Sequence, residues 1–288
     1  MAADTITHQG LAAVRHRLET GDTVIASLHG GQVLSWVPGE GGERLFLSDK
    51  QVFGADAAIR GGVPICFPQF NERGNLPKHG FARRANWTLE QETGDGFVLL
   101  LRDSAATHSI WPERFELRLQ VALAPQVLKL SLSVHNPGPR EWSFAAALHS
   151  YWRTRDVTQV TLGGLAGTRC WDARADRRFI EDSAQIHFGQ LAQQGFDRVY
   201  TVASEGCEAK PLTLAHEHGR PRLTLTQSDN LHEAVVWNPG QAEAARLADM
   251  PAEGWRHMLC VEAARIDEPV RLAPGQRWTA WQHLRFEA

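Results

Sequence analysis

The chain has few of the features that mark secreted, membrane-spanning or nucleic-acid-binding proteins. Its four cysteines show no Cys-x-x-Cys spacing, so we expect reduced thiols in a cytoplasmic protein. The first residues lack the basic and apolar regions of a signal peptide, and no apolar run approaches the length of a membrane span. A formal net charge of −3 gives no general attraction to nucleic acid or to a membrane surface. Any anion site must therefore be local.

Long amphipathic helices are also missing, and residues 241–250 carry the one convincing helical pattern. Alternating apolar and polar residues dominate instead, as in residues 115–121 and again in residues 128–134. Such alternation predicts half-buried strands, here a hairpin that turns near Pro125. Many short strands separated by frequent turns predict an all-β sandwich or barrel. Without a repeat or a long linker, residues 1–288 are predicted to form a single domain.

Residues 60–70 combine charge with a restricted backbone. Arg60 precedes two glycines and a Val-Pro-Ile-Cys-Phe-Pro segment, and Lys78, His79 and Arg83 follow shortly afterwards. Proline fixes φ, and glycine allows sharp turns or close approach to a ligand. Converging cations on a rigid backbone suit an anionic small molecule. A loop at the edge of the core, with its arginines in solvent, is equally compatible with the composition.

Two titratable residues lie in apolar surroundings further along the chain. His149 ends the run Phe-Ala-Ala-Ala-Leu, and Glu262 follows Met-Leu-Cys-Val. Glutamate is rarely buried without a partner. Glu262 therefore either lies on an exposed face, which strand alternation would share with Cys260, or points into a pocket that sets its pKa. A histidine such as His149 is more often a hydrogen-bonded core residue than a catalytic one.

Six segments in order resemble the hexose-6-phosphate mutarotase group, also called glucose-6-phosphate 1-epimerases, of the aldose 1-epimerase superfamily. They are residues 60–70, 78–83, 146–152, 196–200, 236–239 and 258–263. The resemblance spans nearly the whole chain. It implies a large antiparallel β-sandwich of the galactose mutarotase type with few short helices, and an isomerase that exchanges the α and β anomers of a hexose 6-phosphate.

The resemblance also implies catalytic roles. Glu262 occupies the position of the general base and His149 that of the general acid. Anomer exchange opens a cyclic hemiacetal, which needs one proton removed from the C1 hydroxyl and one delivered to the ring oxygen. A glutamate of ordinary pKa is ionised at neutral pH, and a histidine of ordinary pKa is partly protonated. The reaction needs no metal and no cofactor.

The remaining site residues are likewise implied by the resemblance. Arg60 and Arg83 match the arginines that hold the 6-phosphate, and guanidinium groups suit phosphate because they bind it bidentately. Lys78 stands where glutamine is expected and would add a third cation. His79 is expected beside the sugar ring, and Asp197 is expected to accept bonds from sugar hydroxyls. The partner is thus a small sugar phosphate, and we expect a monomer.

Other interpretations of these residues are also compatible with the sequence. Asp197 could instead pair with Arg198, and a non-catalytic sugar-phosphate-binding sandwich would use the same cations. A glycosidase would need two carboxylates at a defined separation, whereas only Glu262 stands out. The His-Glu-His sequence at 216–218 is a weak metal signal without further ligands nearby. Gly240 follows Asn-Pro where the family pattern has tryptophan, and a lysine expected shortly afterwards is missing.

Overall fold

The computed structural model describes residues 3–51, 57–192, 194–207, 209–216 and 222–288. Strands dominate them, as the alternating pattern predicts. None of the helices in these ranges is long and apolar enough to cross a membrane. In chain order the strands are β1 Asp4–His8, β2 Leu11–Arg17, β3 Thr23–Ser27, β4 Val33–Val37, β5 Ile65–Cys66, β6 Thr88–Glu92, β7 Gly96–Arg102, β8 Glu116–Ala124, β9 Val127–His135, β10 Trp142–Leu148, β11 Tyr151–Arg153, β12 Val160–Gly163, β13 Arg169–Asp172, β14 Arg177–Ile180, β15 Gln185–His187, β16 Phe196–Thr201, β17 Leu212–His216, β18 Arg222–Gln227, β19 Glu233–Asn238, β20 Met258–Leu272 and β21 Arg277–Glu287.

These strands form two large antiparallel sheets and a smaller one. One large sheet has the order β14-β13-β16-β19-β20-β10-β5, with β11 also paired to β20. The other has the order β15-β12-β17-β18-β21-β9-β8-β7-β6, and β1 to β4 form the smaller sheet. Apolar side chains from both large sheets share one main core. Phe144 of β10 meets Trp278 of β21 edge-to-face at 5.4 Å between ring centroids. The fold is thus the antiparallel β-sandwich that the sequence predicted.

The predicted hairpin is confirmed. β8 and β9 pair in the register Leu119 with Leu132 and Leu123 with Leu128. Their leucines and valines at 117–121 and 128–134 lie in the core, while the alternate positions, except Ala122 and Val127, are exposed or half-buried. This alternation follows from the two-residue period of a strand with one face turned to solvent.

The predicted helix at 241–250 is shorter in the structure. α1 spans Ala105–His108, and α2 spans only Gly240–Ala244. Beyond α2 the chain continues in turns that place the carbonyl of Asp249 as acceptor for the Ser48 hydroxyl at 2.6 Å and the Asp249 carboxylate against Arg60. The alanine-rich sequence favours a longer helix locally, but the hydrogen bonds of Asp249 with Ser48 and Arg60 hold the chain in turns instead.

Two glycines explain details that the sequence pattern left open. Gly62 has φ +62, and a Cβ there would lie 2.2 Å from the carbonyl oxygen of Val33. Its own carbonyl accepts from the amide of Tyr151, so this turn also fixes β11. Gly240 has φ +66, and a Cβ would meet the carbonyl oxygen of Leu191 at 2.7 Å. The tryptophan of the family pattern therefore does not fit at position 240 without a backbone shift.

Candidate active site

The candidate site lies on the face of the eight-stranded sheet that is turned away from the main core. Ala234 and Val236 of β19 belong to that core, whereas Val235 between them belongs to a separate small cluster on the opposite face. Val235 is the cross-strand partner of Glu262. Because directly paired residues share a face, Glu262 points away from the main core.

His149 reaches Glu262 because β10 and β11 both pair with β20. Leu148 pairs with Ala263 and Tyr151 with Cys260, so the two residues between them pass beside Glu262. The His149 Nε2 and Glu262 Oε1 atoms lie 3.3 Å apart. His149 is 7% exposed and Glu262 is 1% exposed. The structure thus brings together the two residues that the sequence analysis assigned to acid–base chemistry.

Burial moves the pKa values of this pair in opposite directions. Desolvation raises the pKa of Glu262 well above its usual range, and the charge of Asp197 raises it further while Arg83 lowers it. Desolvation lowers the pKa of His149, and the charges of Arg83 and Arg60 lower it further. Both shifts favour the uncharged forms. The ordinary pKa values expected from the sequence therefore do not apply, and the pair holds one proton between two close partners.

Tyr151 joins this pair to Arg60. Its ring stacks on His149 with centroids 4.9 Å apart and an interplanar angle of 11°. Its hydroxyl accepts a bond of 3.2 Å from Arg60 Nη1. Trp237 contacts both rings edge-on, at 6.3 Å from His149 and 6.2 Å from Tyr151. These contacts fix the imidazole plane and place Trp237 beside the pair.

His79 meets His149 edge-to-face at 5.3 Å between ring centroids. Its Nδ1 accepts from the backbone N–H of Asn71 at 3.2 Å and lies 3.3 Å from the Cys66 thiol. Burial lowers the pKa of His79. A neutral imidazole whose Nδ1 is an acceptor carries its proton on Nε2. His79 can therefore donate a hydrogen bond but is a poor source of a transferable proton.

Arg60 is the better-anchored of the two arginines. Its Nε and Nη2 donate to the two carboxylate oxygens of Asp249 at 3.1 and 3.2 Å. Asp249 and the hydroxyl of Tyr151 raise the pKa of Arg60 although burial opposes them. The guanidinium therefore remains charged and has a defined orientation. Nothing in the sequence pointed to Asp249, since it lay in the stretch that predicted a helix.

Arg83 has fewer partners. Its Nη2 donates to the backbone carbonyl of Lys78 at 2.8 Å, and its buried Nε has no hydrogen-bond partner in the described part of the chain. Burial lowers the pKa of Arg83, and the charge of Arg60 lowers it further. The two guanidinium groups repel each other in a partly desolvated site, and one of them has an unused donor. Such a site suits an anion.

Lys78 and Asp197 lie at the edge of this group. The Lys78 side chain is exposed, and its charge contributes to the lowered pKa of His149. Asp197 pairs across the sheet with Trp237, which pairs with Cys260. Burial raises the pKa of Asp197 to about 6, with a further contribution from Glu243.

The expected alternative for Asp197 is wrong. Arg198 donates to Asp172 at 3.0 Å and lies 3.5 Å from Glu181. Successive strand residues point to opposite faces, so Arg198 faces away from Asp197. Asp197 therefore remains available on the face that carries Glu262.

The polar loop after Phe70 positions His79, which the sequence analysis did not anticipate. The Gln69 side chain donates to the carbonyls of Asn71 and Leu76 at 3.0 and 2.9 Å and accepts from the amide of Leu76 at 3.0 Å. These bonds fix the loop whose Asn71 amide orients His79. The sequence contains one indication of this role, a glutamine in an apolar segment directly before a polar loop.

Possible metal ligands lie in the site and in the His-Glu-His sequence at 216–218. His149, Cys260 and Glu262 each offer a ligand atom within 4.8 Å of the others. Of the His-Glu-His sequence, Glu217 and His218 lie outside the described residues.

The family model described as aldose 1-epimerase matches residues 15–285. A protein of Cenchrus ciliaris, provisionally named a glucose-6-phosphate 1-epimerase, is 37% identical over 264 residues, which cover 87% of this chain and 77% of that protein. A protein of Escherichia coli K12 with the same provisional name is 32% identical over 250 residues, 84% of this chain and 79% of the relative.

The solved structure of a provisionally named mutarotase from Salmonella typhimurium superposes with a TM-score of 0.80 and 26% identity, and covers 99% of this chain and 96% of that one. The fold, the sequence match and its extent agree. The chain belongs to the aldose 1-epimerase family.

Proposed function

We propose that the protein interconverts the α and β anomers of a hexose 6-phosphate, with glucose 6-phosphate as the preferred substrate, by general acid–base catalysis without a cofactor. The main support is the buried His149–Glu262 contact of 3.3 Å in electrostatic reach of Arg60 and Arg83. The provisional names of the relatives point to the same substrate.

Ring opening and ring closure each move two protons. Glu262 takes the proton of the C1 hydroxyl while His149 gives one to the ring oxygen, which opens the ring to the aldehyde. After rotation about the C1–C2 bond the roles reverse and the ring closes on the other face. A pair that holds one proton suits this exchange, because one member accepts while the other donates.

The phosphate supports this chemistry electrostatically. Arg60 and Arg83 depress the pKa of His149 in the empty site. A phosphate dianion bound between the two guanidinium groups offsets their charge, which makes protonation of His149 easier. Substrate binding would thus favour the ion-pair form, in which Glu262 is the base and His149 the acid.

His79, Lys78 and Asp197 complete the proposed substrate contacts. The Nε2–H of His79 donates to a sugar oxygen, the exposed Lys78 adds a positive charge at the rim, and the Asp197 carboxylate accepts from hydroxyls. These roles are supported by the contact of His79 with His149 and by the charges of Lys78 on His149 and of Asp197 on Glu262.

We further propose that residues 1–288 act as one domain in the cytoplasm. The two large sheets share one main core. All four cysteines, at positions 66, 170, 207 and 260, are free thiols, as a reducing compartment would leave them.

Two-dimensional exchange NMR at the anomeric proton tests the function directly. We expect the protein to accelerate exchange of glucose 6-phosphate far more than exchange of free glucose, and to cleave no glycosidic bond. A sugar-phosphate-binding protein would shift substrate resonances without accelerating exchange. A glycosidase would release sugar from a glycoside. Either result would overturn the proposal.

A further inference from the structure

Cys260 lies next to the proton-transfer pair but has no part in the proposed reaction. It is the second residue before Glu262 on β20, so both side chains point to the same face. Cys260 is fully buried. Its thiol, a nitrogen of His149 and a carboxylate oxygen of Glu262 all lie within 4.8 Å of one another.

The three groups match the coordination chemistry of zinc. Cysteine sulfur, histidine nitrogen and glutamate oxygen are its usual ligands, and bonds of about 2.0–2.3 Å at tetrahedral angles place ligand atoms about 3.3–3.8 Å apart. The His149–Glu262 separation of 3.3 Å already fits. At the upper limit of 4.8 Å, the thiol and the other two ligand atoms would have to approach by about 1.0–1.5 Å, which small side-chain rotations of the three residues can share.

The site also has unused coordinating atoms. Glu262 Oε2 and His149 Nδ1 are buried without a hydrogen-bond partner among the residues that the structure describes. Buried polar atoms without a partner are uncommon, and each one is a place where a ligand can bind without displacing a protein bond. Zinc bound between His149 Nε2 and Glu262 Oε1 would replace the 3.3 Å contact between those two atoms.

We propose that His149, Cys260 and Glu262 together bind one zinc ion, and that this ion inhibits the enzyme. On binding, the Cys260 thiol and any protonated Glu262 carboxyl release their protons to solvent, and the imidazole binds through a lone pair. Thiolate, carboxylate and Zn²⁺ then sum to zero charge. This neutrality matters because Arg60 and Arg83 disfavour an uncompensated cation nearby.

Inhibition follows from the choice of ligands. A metal-bound carboxylate and imidazole cannot exchange protons with a sugar, and the ion occupies the space between them. The metal-free protein is the active form, so prolonged EDTA treatment should leave the exchange rate intact. The inhibitory part of the inference rests on the proposed function, whereas zinc binding does not.

Binding is measured without substrate, using Co²⁺ as the spectroscopic substitute for Zn²⁺. The protein carries Cys207→Ser, because that thiol is exposed and could bind metal adventitiously. We expect one Co²⁺ per chain, a thiolate-to-cobalt charge-transfer band in the near ultraviolet, and displacement of the spectrum by one equivalent of Zn²⁺. Equilibrium dialysis with zinc gives the stoichiometry independently.

The deciding variant is Cys260→Ser, with Cys170→Ser as the matched control. Like Cys260, Cys170 is a buried strand thiol of the main core, but it lies on β13 and is not part of the His149–Cys260–Glu262 group. We expect Cys260→Ser to keep most anomerase activity, to lose the charge-transfer band, and to need at least tenfold more zinc for half inhibition. Cys170→Ser should behave as the parent protein. Thermal melting of both variants verifies that they are folded.

The experiments distinguish failure of the zinc site from failure of the proposed function and from failure of the inhibition. Cobalt binding without the charge-transfer band, or unchanged zinc binding in Cys260→Ser, would overturn the site. One-to-one thiolate binding in a protein that accelerates no anomer exchange would leave the site standing and refute the proposed function. Stoichiometric binding with full activity retained would refute the inhibition.

Discussion

Two glutamates, Glu116 and Glu262, show how differently the two large sheets treat the same side chain. Glu116 begins β8 of the nine-stranded sheet and accepts bonds from Arg102 and Arg118 at 3.0 and 2.8 Å. Those bonds, above all the one from Arg118, lower its pKa to about 2. Glu262 lies at the centre of the other sheet, and burial raises its pKa well above the usual range.

The difference teaches that strand periodicity assigns a face but not an environment. Both glutamates occupy positions on faces turned away from the main core. The face at Glu116 is open to solvent and lined with arginines. The face at Glu262 is covered by the 60–84 segment, whose His79 and Arg83 come within reach of the site. A charge on the covered face can do chemistry because water does not compete with it.

The largest expected effect separates the two glutamates by activity. Glu262→Gln and His149→Asn should each reduce anomer exchange about 10²-fold or more, since each removes one proton-transfer group. Glu116→Gln is the matched control and should leave the rate unchanged. Exchange NMR with glucose 6-phosphate measures all three. Near-normal exchange in either site variant would refute the assigned pair.

The next effect concerns the arginines of the two faces. Arg83→Ala should lower kcat/KM for glucose 6-phosphate about tenfold or more, because a charge-assisted bond contributes roughly 1.5–3 kcal/mol. The rate on free glucose should barely change. Arg118→Ala, on the open face, should alter neither rate. An equal loss on both sugars would show that Arg83 supports the fold rather than the phosphate.

Arg60 needs a paired design because its removal leaves Asp249 without its partner. Arg60→Ala should show the same dependence on phosphate together with a lower melting temperature. Adding Asp249→Asn should recover stability, since the half-buried carboxylate left without its partner is then gone, but not the rate on glucose 6-phosphate. Recovery of that rate by the second substitution would assign Arg60 a purely structural role.

A smaller effect is expected from Asp197, whose pKa is raised to about 6. As an acceptor of sugar hydroxyl bonds it works best ionised, so KM should rise as the pH falls below about 6. Asp197→Asn should flatten this part of the profile and raise KM several-fold. Because the folded pKa lies above the unfolded value, stability is lost as the pH rises through 6. The asparagine variant should therefore melt higher at pH 7 than the parent protein.

The smallest effect is the stability contribution of Glu116. Its folded pKa of about 2 lies below the unfolded value, so its stabilisation is present above pH 4.5 and is lost as the pH falls towards 2. Glu116→Gln should cost about 1 kcal/mol at pH 7 and little at pH 2, a modest figure because the group is partly solvated. Urea unfolding at both pH values tests this. Glu262→Gln, by contrast, should not lower the free energy of unfolding more at pH 7 than at pH 2.

The sequence was most informative where a local rule applied. The alternation in residues 115–134 predicted β8 and β9 because it reflects one solvent-facing side. The helical pattern at 241–250 was right only up to Ala244. Beyond it, the local preference of alanines for helix yields to the hydrogen bonds that Asp249 makes with Arg60 and Ser48. The roles of Tyr151 and Gln69 were also missed, since a stacking ring and a loop-fixing amide have no pattern along the chain.

By itself the sequence determined the strand-rich fold, the family, and the identity of the groups that can move protons or hold an anion. Residue type and two-residue period are properties of the chain and need no partners. The tertiary structure decided that His149 and Glu262 meet at 3.3 Å and that burial drives their pKa values apart. It also decided that Cys260 joins them. Proximity and desolvation arise only when distant strands pair, because both depend on which segments of the chain exclude water from one another.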